Sequence, residues 1–267
     1  MSTIALFVHS TGTSPAMWKP LIEAGLPEGI TPVALPNIGY SPDAPLQHAA
    51  HEAFHLDDEV AHLRARIPQG TTRVHLVAHS YGAAVALLLA RALAAEADGP
   101  QVASLWLYEP TPFAALRALP TEGLPQDVRD QLMELYGPGA PLLDQSLAGQ
   151  DAWLQAFIDY WNGPGTWAAV PERVRQGARS LGLKMFHEVQ ALSSRAPGFE
   201  QLRAAAPMTL VHGAHTQPPA RHMVERLQQV NPHAQVEALS GLGHMGVMGA
   251  PEPVRQSLAS HWQRVQG

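Results

Sequence analysis

Six short runs of β-branched and apolar residues recur along the chain, separated by segments of helical periodicity: Thr3 to His9, Thr31 to Leu35, Arg73 to Ala78, Ser104 to Tyr108, Met208 to Val211 and Gln235 to Leu239. Short runs that stay apolar throughout suit strands buried on both faces. Such strands, joined through helices, form a mostly parallel sheet with helices on both faces. The intervening segments fit. Leu56, Val60, Leu63 and Ile67 share one helical face behind the acidic turn Asp57-Asp58-Glu59, and Met223, Leu227 and Val230 repeat the spacing. The pattern predicts an α/β fold.

Between Pro110 and about Arg203 the strand pattern stops, and helical pieces punctuated by Pro and Gly take over: Pro125 to Tyr136, Asp151 to Trp161, Pro171 to Ala178 and Gly182 to Arg195. The 267-residue chain is therefore read as one core, residues 1–110 and 204–267, interrupted by a helical insertion over residues 111–203. Trp153, Trp161 and Trp167 lie in that insertion beside Phe157, Tyr160 and Phe186. These rings either fix the insertion to the core or line a pocket at the boundary between layers. Trp153, Phe157, Tyr160 and Trp161, at near-helical spacing, are the candidates for substrate binding.

Composition removes several function classes. The chain has 17 Lys and Arg against 23 Asp and Glu, a net charge of −6, and no basic cluster to match a phosphate backbone, so no nucleic-acid partner is expected. Without any Cys it has no thiol nucleophile, Cys-ligated zinc, iron–sulfur cluster or disulfide. The start, Met1 to Thr3 leading straight into Ile4-Ala5-Leu6-Phe7-Val8, carries no basic region or cleavage site, and a cytoplasmic location is expected. The longest apolar stretch, Ala83 to Ala95, is broken by Arg91 and falls short of the roughly 20 residues that span a bilayer, so no membrane partner is expected either.

The sharpest chemical signal is Val77-Ala78-His79-Ser80-Tyr81-Gly82-Ala83-Ala84, where a buried run gives way to a small-residue helix. It resembles a nucleophile elbow, in which small residues around a Ser permit a strained strand-to-helix turn that exposes the hydroxyl. Ser80 is the candidate nucleophile, with Ala78 in the first small position and Gly82 in the second. A Ser at a helix start can also be a plain N-cap. The base such a Ser needs is expected after the last strand, where Gly241-Leu242-Gly243-His244-Met245-Gly246 offers His244 between glycines. His79, next to the Ser, is expected to point away from it. The segment His9-Ser10-Thr11-Gly12-Thr13-Ser14 looks like a loop that supplies an oxyanion-hole amide, with the N–H groups of Thr11 and Tyr81 as the pair and Ser10 where a Gly is usual.

On these segments the chain resembles the α/β-hydrolase superfamily over nearly its whole length. It is most similar to lid-bearing bacterial hydrolases carrying His79-Ser80-Tyr81-Gly82, Tyr108-Glu109-Pro110 and Asp159-Tyr160-Trp161-Asn162-Gly163. The resemblance implies a mostly parallel sheet with a helical lid inserted after the sixth strand. It also implies a Ser–His–acid triad, and here the sequence departs: Thr216 stands where an Asp is usual, and no carboxylate follows until Glu225. Some superfamily members take the acid from the end of the preceding strand, which assigns Glu109. The alternatives are a purely structural Glu109 and an acid in the lid, Asp159.

His51-Glu52-Ala53-Phe54-His55 matches the HExxH zinc signature, but it follows a turn-rich segment and straddles a helix entry, so it is read as chance and no metal or other cofactor is expected. The expected activity is a serine esterase acting on a small-molecule ester or thioester. A C–C hydrolase, an acyl transferase, and a non-catalytic ligand-binding relative are the competing readings. Oligomeric state is left open.

Overall fold

A computed structural model describes residues 2–49, 51–195 and 197–266. The six apolar runs become β1 (Ser2–Val8), β2 (Ile30–Leu35), β3 (Thr71–His79), β4 (Gln101–Tyr108), β5 (Met208–Gly213) and β6 (Gln235–Leu239). They form one six-stranded sheet in the order β2-β1-β3-β4-β5-β6, every neighbouring pair parallel. The chain steps outward from β1 to β2 and returns past β1 to β3, so the strand order reverses between β1 and β3. In open sheets, ligands bind at the carboxyl ends beside such a reversal.

The period of two along β1 divides the core. Ile4, Leu6 and Val8 belong to the apolar cluster on the side of the sheet that carries α2 (Leu56–Arg64), α3 (Tyr81–Ala94) and α9 (Pro218–Val230). Ala5 and Phe7 face the other way, toward Trp18, Leu21 of α1 (Lys19–Glu23) and Val254, Leu258 and Trp262 of α11 (Pro251–Gln266). Leu6 and Phe7 are both fully buried, and each such side chain stabilises the fold by about 1.5–3 kcal/mol through leaving water.

Between β4 and β5 lie α4 (Phe113–Arg117), α5 (Gln126–Tyr136), α6 (Asp151–Asn162), α7 (Thr166–Ala169) and α8 (Glu172–Ser194). The insertion thus follows the fourth strand, not the sixth: each apolar run forms one strand, and only four of the runs precede Pro110. A second departure concerns the helical pieces Pro171 to Ala178 and Gly182 to Arg195, expected as two separate stretches. They join in one 23-residue helix, α8. At Gly182 a Cβ would come within 2.8 Å of Gly149 Cα, so that glycine serves close contact with a neighbouring loop and ends nothing. Among the described residues no helix is long and apolar enough to cross a membrane.

On the α11 side of the sheet the hydroxyl of Ser104 joins His75 Nδ1 (2.7 Å) to His261 Nε2 (2.8 Å). Burial drives His75 down to about 4 and His261 to about 3, and His9 at the end of β1 to about 4. These imidazoles are neutral in the folded chain and become protonated first in the unfolded one. Their contribution is present above the ordinary His value and is lost as pH falls toward the depressed ones. Between pH 7.5 and pH 5 the loss comes to about 2 kcal/mol for each of His9 and His261, as the unfolded chain takes up protons that the folded one does not. Thermal unfolding followed at pH 7.5, 6 and 5 is expected to show a melting temperature falling by several degrees; a flat profile would contradict buried neutral imidazoles.

Candidate active site

β3 runs into α3 through Ser80, whose φ of +55° and ψ of −118° lie outside the range an L-residue adopts freely. Such a backbone costs on the order of 1–3 kcal/mol and persists only where its surroundings hold it. The Ser80 N–H donates to the Tyr108 carbonyl of β4 at 2.9 Å, which fixes the turn from behind. Gly82 lets α3 approach β1: a Cβ there would lie 2.5 Å from the His9 carbonyl oxygen and 2.6 Å from that of Val8. Ala78, in the first small position, is fully buried.

His244 lies between β6 and α10 (Gly246–Gly249). Its Nε2 is 2.9 Å from Ser80 Oγ and its Nδ1 is 2.6 Å from Glu109 Oε2, with all three residues buried. A carboxylate only accepts, so Nδ1 carries the proton and the Nε2 lone pair faces the serine hydroxyl. Glu109 follows β4 with φ of +45°, its N–H bound to the Val211 carbonyl at 2.8 Å. Its Oε1 accepts from Gly213 N–H (2.8 Å), and its Oε2 also accepts from the Thr216 hydroxyl (2.6 Å). Thr216, read from sequence only as a missing acid, is therefore a donor to the Glu109 carboxylate. Gly213 allows the two loops to meet, since a Cβ would lie 2.3 Å from the Leu242 carbonyl oxygen. Asp159, the other acid considered, caps a turn of the insertion by accepting from Trp167 N–H (2.7 Å) and Gly165 N–H (3.1 Å).

Two residues to which the sequence assigns no role at His244 steady its loop. His79 donates from Nε2 to the His244 carbonyl at 2.9 Å, and the Tyr108 hydroxyl donates to the Gly243 carbonyl at 2.7 Å. Burial, then the proximity of His244, hold His79 well below the ordinary His value, so it stays neutral. In sequence, the residue before Ser80 carries no signal beyond pointing away from it.

Thr11 and Ser80 line the same space, and Ser10 lines it on its wider side. Ser10 keeps a negative φ; the left-handed residue of this loop is Gly12, at +70°. The Ser10 carbonyl accepts from the Thr13 N–H (3.3 Å) and hydroxyl (2.8 Å), closing the turn. The Tyr81 side chain is buried away from the cleft, leaving its backbone N–H, the first of α3, without an intrahelical acceptor.

Around Ser80 a cleft of about 840 Å³ meets a narrow cavity of about 20 Å³. Phe157 and Trp161 line both, and Tyr160 lines the narrow one. Trp161 stacks on the His244 ring at 3.6 Å between centroids and 20° between planes. Trp153 lines neither: it is fully buried, donates to the Leu142 carbonyl at 3.1 Å and stacks on Phe157. It stands two turns before Trp161, roughly 12 Å along α6, too far to reach the serine end of the cleft. Residues 51–55, the HExxH segment, precede the helix that begins at Leu56, so the two His do not share a helical face.

A family model described as the alpha/beta hydrolase family matches residues 5–256. Among curated proteins none matches the sequence. Solved structures with a similar fold include an α/β hydrolase from Sphaerobacter thermophilus DSM 20745, 19% identical with a TM-score of 0.66, covering 98% of this chain and 93% of that one. An esterase from Rhodococcus sp. ECU1013 is 17% identical with a TM-score of 0.66 and covers 99% and 91%. A thioesterase from the prodiginine pathway of Streptomyces coelicolor is 15% identical with a TM-score of 0.65 and covers 97% and 90%.

Proposed function

The chain belongs to the α/β-hydrolase family, and from that premise we propose that it is a serine hydrolase cleaving a small carboxylic ester or thioester through an acyl-Ser80 intermediate. The observation that carries this reading is the hydrogen-bond chain from Ser80 Oγ to His244 Nε2 (2.9 Å) and from His244 Nδ1 to Glu109 Oε2 (2.6 Å), built on a strained turn. Ser80 Oγ attacks the carbonyl carbon while its proton passes to Nε2. The carbonyl oxygen takes up negative charge, met by the N–H groups of Thr11 and Tyr81, with Ser10 shaping the loop. Collapse breaks the bond to the alcohol or thiol, which leaves with the proton from Nε2. Water then gives a proton to Nε2 as it attacks the acyl carbon, and the second collapse returns that proton to Ser80 and frees the acid. Glu109 balances the imidazolium formed in each half.

In this reading residues 111–203 act as a lid over the core of residues 1–110 and 204–267, and the lid sets the choice of acyl group. Phe157 and Trp161 support it, since they share the cleft with Ser80 and His244. Trp161→Ala is expected to change the ratio of kcat/KM between p-nitrophenyl butyrate and decanoate by about 10-fold or more. Loss of the stack on His244 adds a smaller, uniform decrease, worth about 1 kcal/mol. The melting temperature is expected to drop by only about 2–4 °C. An unchanged ratio with a large loss of stability would make Trp161 part of the scaffold. Activity across the p-nitrophenyl ester series, with thioesters in parallel, tests the function itself; no turnover of either would overturn it.

A further inference from the structure

A buried charge cluster lies between α8 and the core. Lys184 Nζ is 2.7 Å from Glu59 Oε2 and 3.4 Å from Glu188 Oε1, and all three side chains are at most 2% exposed. The ammonium also sits 3.8 Å above the Phe54 ring. One arm of the cluster runs from Glu188 Oε2, which accepts from the Tyr40 hydroxyl at 3.0 Å; that hydroxyl in turn accepts the Gly12 N–H at 2.7 Å. The other arm runs from Glu59, whose Oε2 accepts from the Tyr81 hydroxyl at 2.8 Å and whose Oε1 accepts from Ile38 N–H at 2.7 Å. Both arms therefore end beside Ser80, one on the residue after Thr11 and the other on Tyr81.

Adhesion alone does not call for such a cluster. Taking three ionisable groups out of water costs several kcal/mol per ion, and apolar side chains of similar size commonly pack as stably. Burial pushes Glu188 up to about 7 in spite of Lys184 and of the hydroxyls of Thr11 and Tyr40, a cost tied to this position. What the polar groups supply and apolar ones cannot is direction. The Gly12 N–H has a fixed acceptor, and Gly12 itself, at φ of +70°, is pressed by Met185 of α8, whose Cε would lie 2.9 Å from an added Cβ.

We propose that Tyr40 and Glu188 are positioning residues for the oxyanion loop: through the Glu188–Tyr40–Gly12 chain the insertion helix α8 fixes the Thr11–Gly12 backbone against Ser80, while Lys184 and Glu59 fix Tyr81 on the other side. The inference rests on the acyl-transfer reading above. It makes docking of α8 a condition for an aligned oxyanion site and gives α8 a role in rate beyond covering the cleft.

Tyr40→Phe deletes one oxygen and leaves the ring in place. It is expected to lower kcat for p-nitrophenyl butyrate by about 10- to 100-fold, less than or near the loss of a whole oxyanion donor, with KM within about 3-fold of wild type. Amide hydrogen exchange over residues 9–14 is expected to quicken by about 10-fold or more, a local opening that does not need catalysis to be read. Glu188→Leu is expected to act alike, and Glu188→Gln, which keeps an acceptor for Tyr40, to restore kcat to within about 3-fold. If Glu188→Leu fails to fold, Tyr40→Phe alone decides. Unchanged exchange and unchanged kcat in Tyr40→Phe overturn the proposal, and so does a lowered melting temperature without either change. Faster exchange in a protein whose wild-type Ser80 resists fluorophosphonate keeps the tether and overturns the acyl-transfer reading instead.

Discussion

Ser80→Ala is expected to lower ester turnover by about 10⁵- to 10⁶-fold while the protein keeps its fold. The change removes one oxygen at the boundary of the cleft and leaves no core cavity. Ala tolerates the φ of +55° no worse than Ser, and the backbone N–H still donates to the Tyr108 carbonyl. The melting temperature is therefore expected within about 2 °C of wild type. His244→Gln is expected to be nearly as damaging, and the double variant no slower than either single one by more than a few-fold, because nucleophile and base act as a unit. Steady-state rates with p-nitrophenyl butyrate check both statements. Retention of more than about 1% of activity in Ser80→Ala would assign the chemistry to another group.

Glu109→Gln is the second large effect, expected at about 10⁴-fold in kcat by analogy with the serine-protease acid. The hydrogen bonds give the reason. Oε1 must accept from Gly213 N–H, and Oε2 must accept from both His244 Nδ1–H and the Thr216 hydroxyl. Gln offers one acceptor and one donor. In one orientation its NH₂ opposes Gly213 N–H; in the other it opposes His244 and forces the wrong tautomer on the ring. Either way the charge that balances the imidazolium is gone. Thr216→Ala removes one of three donors and leaves the charge, so a loss of about 1 kcal/mol, less than about 10-fold, is expected. The order of the two effects, read from kcat, is the check. Equal effects would place the acid elsewhere.

Much of the fold is legible in the sequence because it is carried by local patterns. The six apolar runs coincide with the six strands: β1, β3, β4 and β5 are buried along most of their length, as strands covered on both faces need, while β2 and β6 at the sheet edges stay partly exposed. Ser80, His244 and Glu109 are each marked by small or restrictive neighbours at a strand end, and they meet within hydrogen-bonding distance although separated by up to 164 residues. What stays illegible depends on partners distant in sequence. Glu59 reads as an acid in the first turn of a helix, where a favourable dipole explains it fully; its burial with Lys184, 125 residues away, leaves no local trace. Gly182 reads as a break because its purpose, contact with Gly149, belongs to another segment. Trp153 shares a face with Trp161, and only the direction of α6 decides that one is core and the other lines the cleft.

Fluorophosphonate labelling followed by peptide mass analysis tests the central assignment most directly, because it traps the nucleophile without requiring the natural substrate. The wild-type protein is expected to take up one phosphonyl group on the peptide carrying Ser80, His244→Gln to react far more slowly, and Ser80→Ala not to react. An unmodified wild-type protein, or an adduct on any residue other than Ser80, would contradict the account.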